Sequence, residues 1–151
     1  MLRQLAFGGA ICLINIAIHA AVMALVVAVA LRTADATQAL HRRRREMAIM
    51  VATVSVLLAA HTLEVAVWSA AYAVIDLAPR GQLFYFAFVN YTTLGYGEIL
   101  PPEDWRLIGP ITAMSGVLLF GWSTAVIFEV LRTTAGSLSK LPSTPDTPER
   151  I

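Results

Sequence analysis

Three long apolar stretches, separated by polar connections and one short aromatic segment, set the plan of this 151-residue chain. Leu5 to Leu31 is almost unbroken apolar sequence, about 27 residues or roughly 40 Å as a helix, enough to cross a bilayer with some tilt. It is about twice as long as the apolar core of a secretory leader, so it reads as a membrane span rather than a cleaved signal. Thr33 to Arg45 is a polar connection that ends in His41 and four consecutive arginines. Met47 to Ile75 predicts a second span, stopped by the turn Asp76, Leu77, Ala78, Pro79, Arg80, Gly81. Leu83 to Tyr91 carries Phe84, Tyr85, Phe86 and Phe88 and is too short to span; it reads as a re-entrant helix followed by irregular backbone that lines a cavity. Trp105 takes an interfacial position, and Arg106 to Arg132 predicts a third span. The expected fold is therefore an all-α membrane protein with three transmembrane helices and a re-entrant helix and loop between the second and third.

Composition agrees and removes several functions. With 58% hydrophobic and 14% charged residues the chain is far from a soluble domain. Lys140 is the only lysine, which leaves no basic surface for nucleic acid. Cys12 is the only cysteine, cannot form an intrachain disulfide, and sits in an apolar run as a small packing residue. Neither a phosphate-binding loop nor a cysteine cluster is present, and serines and histidines are scattered over different helices, so no enzyme and no cofactor are expected.

Charge sets the expected orientation. Counted against the spans, eight of the eleven basic residues (Arg32, Arg42, Arg43, Arg44, Arg45, Arg132, Lys140, Arg150) fall on one side and Arg3, Arg80 and Arg106 on the other. The positive-inside rule then makes the arginine connection and the carboxyl terminus cytoplasmic and the amino terminus external. Contiguous arginines in a connection differ from the every-third-residue spacing of a voltage sensor, and Arg42, Arg43, Arg44 and Arg45 are expected to meet anionic lipid head groups. Segments 1–45 (first helix and basic connection), 46–132 (core) and 133–151 (tail) follow; Ser137 to Ile151 is rich in Ser, Thr and Pro and reads as a disordered cytoplasmic tail. The short chain suggests a prokaryotic plasma membrane.

The loop after the short helix is Asn90, Tyr91, Thr92, Thr93, Leu94, Gly95, Tyr96, Gly97, Glu98. Its glycines alternate with larger residues, so Gly95 and Gly97 are expected in left-handed backbone while Leu94 and Tyr96 keep negative φ, a strand that turns successive carbonyls the same way. Glu98, Glu103 and Asp104 make that mouth acidic and draw cations towards it.

Thr93, Leu94, Gly95, Tyr96 and Gly97 resemble the signature filter of the potassium channel family, flanked here by Thr92 and Glu98. The usual form has valine where Leu94 stands and aspartate where Glu98 stands. The resemblance covers roughly Met47 to Leu131 and implies a pore helix, a selectivity filter and an inner helix, with the first helix additional to the two-helix minimum. It also implies K+ coordinated by the carbonyls of Thr93, Leu94, Gly95 and Tyr96 and by the Thr93 hydroxyl. Because the filter is a ring of four and one chain supplies one segment, a homotetramer is implied. Gly116 falls where that family often keeps a flexible glycine, a candidate gating hinge or a close-packing position; Gly121 reads as packing. The function implied is passive, K+-selective conduction, with two alternatives open: a non-selective monovalent cation channel, or a non-conducting channel-like subunit.

Four polar residues stand inside spans. Asn15 and His19 share one face of the first helix, and His61 and Glu64 one face of the second. Counting about 1.5 Å per residue from opposite ends puts the two faces at similar depth. Three uses suit them: a polar clasp that docks the extra helix, a pH sensor, or a zinc-type donor set of His19, His61 and Glu64.

Overall fold

The computed structural model describes residues 1–138. Helix α1 (Leu2–Ala36), α2 (Arg42–Val74), the short α3 (Leu83–Tyr91) and α4 (Ile108–Leu138) follow in order, with single 3-10 turns at Arg80–Gln82 and Glu103–Trp105. Three of the helices are long and apolar enough to cross a membrane, so the chain is an all-helical multi-pass membrane protein. The short helix has the bounds expected from its aromatic run.

Both spans on either side of the basic connection run further than their apolar limits. Arg42, Arg43, Arg44 and Arg45 are not in a loop but form the first turn of α2, and residues 37–41 alone connect it to α1. Arginine is a good helix former, and its charge at a helix N-terminus, unfavourable to the macrodipole, is partly offset locally. Arg42 Nε lies 3.0 Å from Glu46 Oε1, and Arg45 Nε donates to the Ala34 carbonyl in the last turn of α1 at 3.2 Å. The segment expected as a tail from residue 133 also needs correcting: α4 continues to Leu138, since no proline interrupts it there. Residues 139–151, the rest of that expected tail, lie outside the described residues.

Proline at position 110 is the third residue of α4, where the backbone N–H would have no intrahelical partner, so nothing is lost. Gln4 of α1 reaches across to this same end, its Oε1 accepting the Leu107 N–H at 2.8 Å. The side chain of one helix thus satisfies an orphan donor at the start of another. Alongside, Phe7 meets Trp105 edge-on at 5.5 Å, and the Arg3 guanidinium lies 4.7 Å above the Trp105 ring.

The packed centre lies between α2, α3 and α4: Val65, Trp68, Tyr72, Phe86, Tyr91 and Ile108 are among its buried members. The polarity of the bundle is inverted relative to a soluble protein. Leu13, Leu25, Val51, Leu58 and Leu63 are exposed, while Gln4, Asn15, His19, Thr53, Glu64, Thr112, Ser115 and Ser123 are buried. In lipid the hydrophobic effect gives helices no reason to associate, so close packing and hydrogen bonds hold them together.

Neighbouring glycines on α1 separate these contributions. A Cβ on Gly8 would stand 2.9 Å from Ile111 Cγ2 and 3.2 Å from Ile108 Cδ1 on α4, whereas one on Gly9 meets nothing. Gly8→Leu is expected to lower the thermal midpoint of the detergent-purified protein, by about 1–3 kcal/mol of overpacking, and Gly9→Leu to leave it unchanged. Equal midpoints for the two variants would show that α1 does not dock on α4 through this contact.

Candidate functional site

The loop expected to carry chemistry leaves α3 through a defined cap. Thr93 N–H donates to the Asn90 carbonyl and Leu94 N–H to the Val89 carbonyl, both at 3.0 Å, with Thr93 at φ 61°. This is a Schellman arrangement, whose left-handed position is usually glycine. Threonine there was missed from sequence, because its β-branched side chain argues against positive φ. The α2 terminus repeats the device: Asp76 has φ 47°, and Leu77 N–H donates to Tyr72 O at 3.0 Å. Thr92 adds its hydroxyl to the Phe88 carbonyl at 2.8 Å.

Beyond the cap, Gly95 has φ 59° and Gly97 φ 77°, while Leu94 and Tyr96 are not among the positive-φ residues. From Thr93 to Gly97, φ therefore alternates in sign. Such alternation sends amides to one side of the chain and carbonyls to the other, a row of dipoles suited to an ion. All residues from Thr93 to Glu98 are exposed in the single chain. The Tyr85 hydroxyl donates to Glu98 Oε2 at 2.9 Å, and this hydrogen bond to a carboxylate holds the Tyr85 phenol above its ordinary pKa.

The helix that presents the loop is fixed from behind on two sides. Asn90 Nδ2 donates to the Tyr72 hydroxyl at 3.3 Å, which pairs with Thr112 Oγ1 at 2.7 Å, which in turn donates to Ile108 O at 2.9 Å. A chain of hydrogen bonds thus links α3, α2 and α4. Gly116 faces the last residue of α3 so closely that a Cβ there would lie 2.0 Å from the Tyr91 carbonyl oxygen. Gly121, expected as a packing position, has nothing within 4 Å of an added Cβ inside the chain.

The four intramembrane polar residues meet. His19 Nδ1 lies 2.8 Å from Glu64 Oε1, His61 Nδ1 3.0 Å from Glu64 Oε2, and Asn15 Nδ2 3.4 Å from the Glu64 carbonyl. The imidazole rings are 5.4 Å apart. Asn15, His19 and Glu64 are fully buried. Two further members were not foreseen. The Tyr91 hydroxyl donates to Glu64 Oε2, and Ser123 Oγ faces His61 Nε2 at 2.9 Å and His19 Nε2 at 3.4 Å. Ser123 is a hydroxyl inside a span and Tyr91 the last residue of the short α3, and weighing every hydroxyl in the apolar segments beside the histidines and Glu64 would have found them. All four helices thus contribute: α1 through His19, α2 through His61 and Glu64, α3 through Tyr91 and α4 through Ser123.

Compared with known proteins, residues 60–133 match the family described as "Ion channel". The matched segment holds His61, Glu64, all of α3, the loop and most of α4, and leaves out α1. No curated protein and no solved structure matches the chain.

Gly116 offers a direct check on how the loop is held. Because the obstacle to a Cβ is a backbone carbonyl, not the end of a flexible side chain, Gly116→Ala must move α3 or α4. The variant is expected to be destabilised by about 1–3 kcal/mol, against the gain of up to about 1 kcal/mol that alanine brings to a helix. A thermal midpoint at or above that of the parent would refute the close approach.

Proposed function

We propose that this chain, which matches the ion-channel family over residues 60–133, forms a potassium-selective channel in which Thr93, Leu94, Gly95, Tyr96 and Gly97 are the selectivity filter. The observation that carries the reading is the alternation of φ at Thr93, Gly95 and Gly97 within the sequence that resembles a potassium filter. Carbonyls of Thr93, Leu94, Gly95 and Tyr96, with the Thr93 hydroxyl, replace the hydration shell of a K+ ion. K+ is the cargo, and transport is passive.

One chain brings one such segment, so four copies close the ring, a homotetramer around a central axis. Exposure in the single chain supports this. Phe84, Tyr85 and Phe88 on α3, Leu94 and Tyr96 in the loop, and Val117, Leu118 and Phe120 on α4 are all large and uncovered. Neighbouring copies would cover them and would give Gly121 something to pack against. Gly116 is the candidate hinge, its backbone seated on Tyr91. In this reading the protein sits in a plasma membrane with the amino terminus outside, the carboxyl terminus in the cytoplasm, and Arg42, Arg43, Arg44 and Arg45 against anionic lipid head groups. It performs no catalysis.

The decisive experiment is the reversal potential of purified protein in a planar bilayer with K+ on one side and Na+ on the other, repeated with Gly95→Ala. An L-residue at φ 59° costs about 1–2 kcal/mol, and several times that over a four-chain ring. The expected result is a reversal close to the K+ equilibrium value that is lost in the variant. Robust current reversing near zero would replace K+ selectivity with general cation conduction. Silence from well-formed tetramers would identify a non-conducting subunit.

A further inference from the structure

The cluster around Glu64 is short of hydrogens when both histidines are neutral. Six polar contacts define it: His19 Nδ1 to Glu64 at 2.8 Å, His61 Nδ1 to Glu64 at 3.0 Å and to Tyr91 Oη at 2.9 Å, Tyr91 Oη to Glu64, and the two Nε2 atoms to Ser123 Oγ at 2.9 and 3.4 Å. Each contact needs a hydrogen between its two heavy atoms. A neutral imidazole carries one N–H, and Ser and Tyr one O–H each, so two neutral histidines bring the total to four. With both hydrogens on Nδ1, two Nε2 lone pairs compete for the single Ser123 hydroxyl. With both on Nε2, Ser123 accepts both, but two Nδ1 lone pairs face the carboxylate with nothing positive between them. A mixed pair leaves one Nδ1 lone pair against a Glu64 oxygen. Among the described residues, the cluster's hydrogen-bond partners include no arginine or lysine.

The second of these arrangements is the one a metal ion completes. Ligand atoms from His19, His61 and Glu64 lie within 4.8 Å of one another. Tetrahedral zinc, with bonds of about 2.0–2.1 Å, sets its ligands about 3.3 Å apart. The Nδ1-to-oxygen contacts of 2.8 and 3.0 Å would open by a few tenths of an ångström, while the widest of the three ligand separations, up to 4.8 Å, would close by about 1.5 Å as the ion draws the side chains together. Two imidazoles and one carboxylate are a donor set zinc takes. The far ring nitrogens would then both carry hydrogen, and Ser123 Oγ stands where one acceptor serves both, the outer contact that metal-bound histidines regularly make. Tyr91 Oη, 2.9 Å from His61 Nδ1, is an additional oxygen beside the site. His61 is the only one of the three ligands with an exposed side-chain edge, 13% against 0% for the other two.

We propose that His19, His61 and Glu64 form a binding site for one divalent d-block cation of zinc-like chemistry, with Ser123 as the shared acceptor behind both histidines. The site joins α1 to α2 and borrows the carboxylate that otherwise holds Tyr91. Binding stands independently of what the pore conducts. Any effect of the ion on conduction rests on the proposed function, because it passes through Tyr91 to the loop at Thr93.

The test uses the full-length protein in detergent, stripped with chelator and titrated with Co2+ as a spectroscopic stand-in, then with Zn2+. The expected result is the visible absorption of tetrahedral cobalt at about one ion per chain, displaced by Zn2+. His61→Gln and Glu64→Gln should abolish the band. Ser123→Ala keeps every ligand and should weaken binding by roughly 10–100-fold. His19→Cys, which keeps a ligand, should retain binding and add a thiolate-to-cobalt transition, so a failure to fold in the glutamine variants cannot mimic the result. No cobalt band in the parent protein, or a band undiminished in His61→Gln, would overturn the site. In K+-loaded vesicles, a Zn2+-dependent change in flux that His61→Gln removes would establish the link to the pore, and parent flux indifferent to bound Zn2+ would remove that link. Absence of any parent flux counts against the conduction reading alone.

Discussion

A carboxylate fully buried among membrane-spanning helices is the constraint on which this structure turns. Placing an acidic side chain at the centre of a lone span costs about 2.5–3.5 kcal/mol on insertion scales. Glu64 is tolerated because every helix sends it a partner, directly or at one remove: His19, His61, Tyr91, and Ser123 through the histidines. The dependence runs both ways. Removing one member of a buried charged set typically costs about 3–5 kcal/mol, since the remainder stays buried without its counterpart. Apolar side chains cannot substitute as glue here, because lipid solvates them as well as a neighbouring helix does.

The same physics explains how the first helix is held. The matched family segment begins at residue 60, so α1 is an addition to it. Three of the contacts that dock it are spaced along its length. Gln4 caps the start of α4, Gly8 lets Ile108 and Ile111 approach, and His19 reaches Glu64. Two of the three are polar contacts and the third is a missing side chain, which is how helices recognise each other in a medium without a hydrophobic drive.

Much of this was legible in the sequence, and the limits have physical causes. The bounds of α3 could be read because an aromatic run flanked by turn residues has only one short helical solution. Depth counting brought His19 and His61 to one level because helical rise is nearly constant. Helix ends were less legible: Arg42–Arg45 look like a connection when judged by hydropathy, yet arginine continues a helix well. Thr93 at positive φ was hidden because its conformation is imposed by the cap of α3, not by its own preference. Ser123 and Tyr91 were missed because their role is relational; neither is unusual until the histidines and Glu64 are placed beside it. Gly121 shows the opposite limit: a small residue suggested a close approach, and within the chain nothing lies within 4 Å of an added Cβ there.

Tyr91 is where these constraints converge. Its hydroxyl is bound to Glu64, its ring is fully buried against Phe120 at 5.3 Å, and its carbonyl lies where any side chain at position 116 would be. The next two residues are fixed by the hydrogen bonds that close α3. The backbone from Tyr91 to Leu94 therefore has little freedom of its own, and its position is set jointly by α2 and α4. A displacement of α4 at Gly116 must either carry the Tyr91 carbonyl with it or open a gap there, and carrying it strains the hydroxyl bond to Glu64. Packed interiors resolve such conflicts by switching between discrete arrangements rather than by yielding smoothly. The loop that begins at Thr93 is thus coupled mechanically to the end of the helix that carries it and, through one carboxylate, to the first helix.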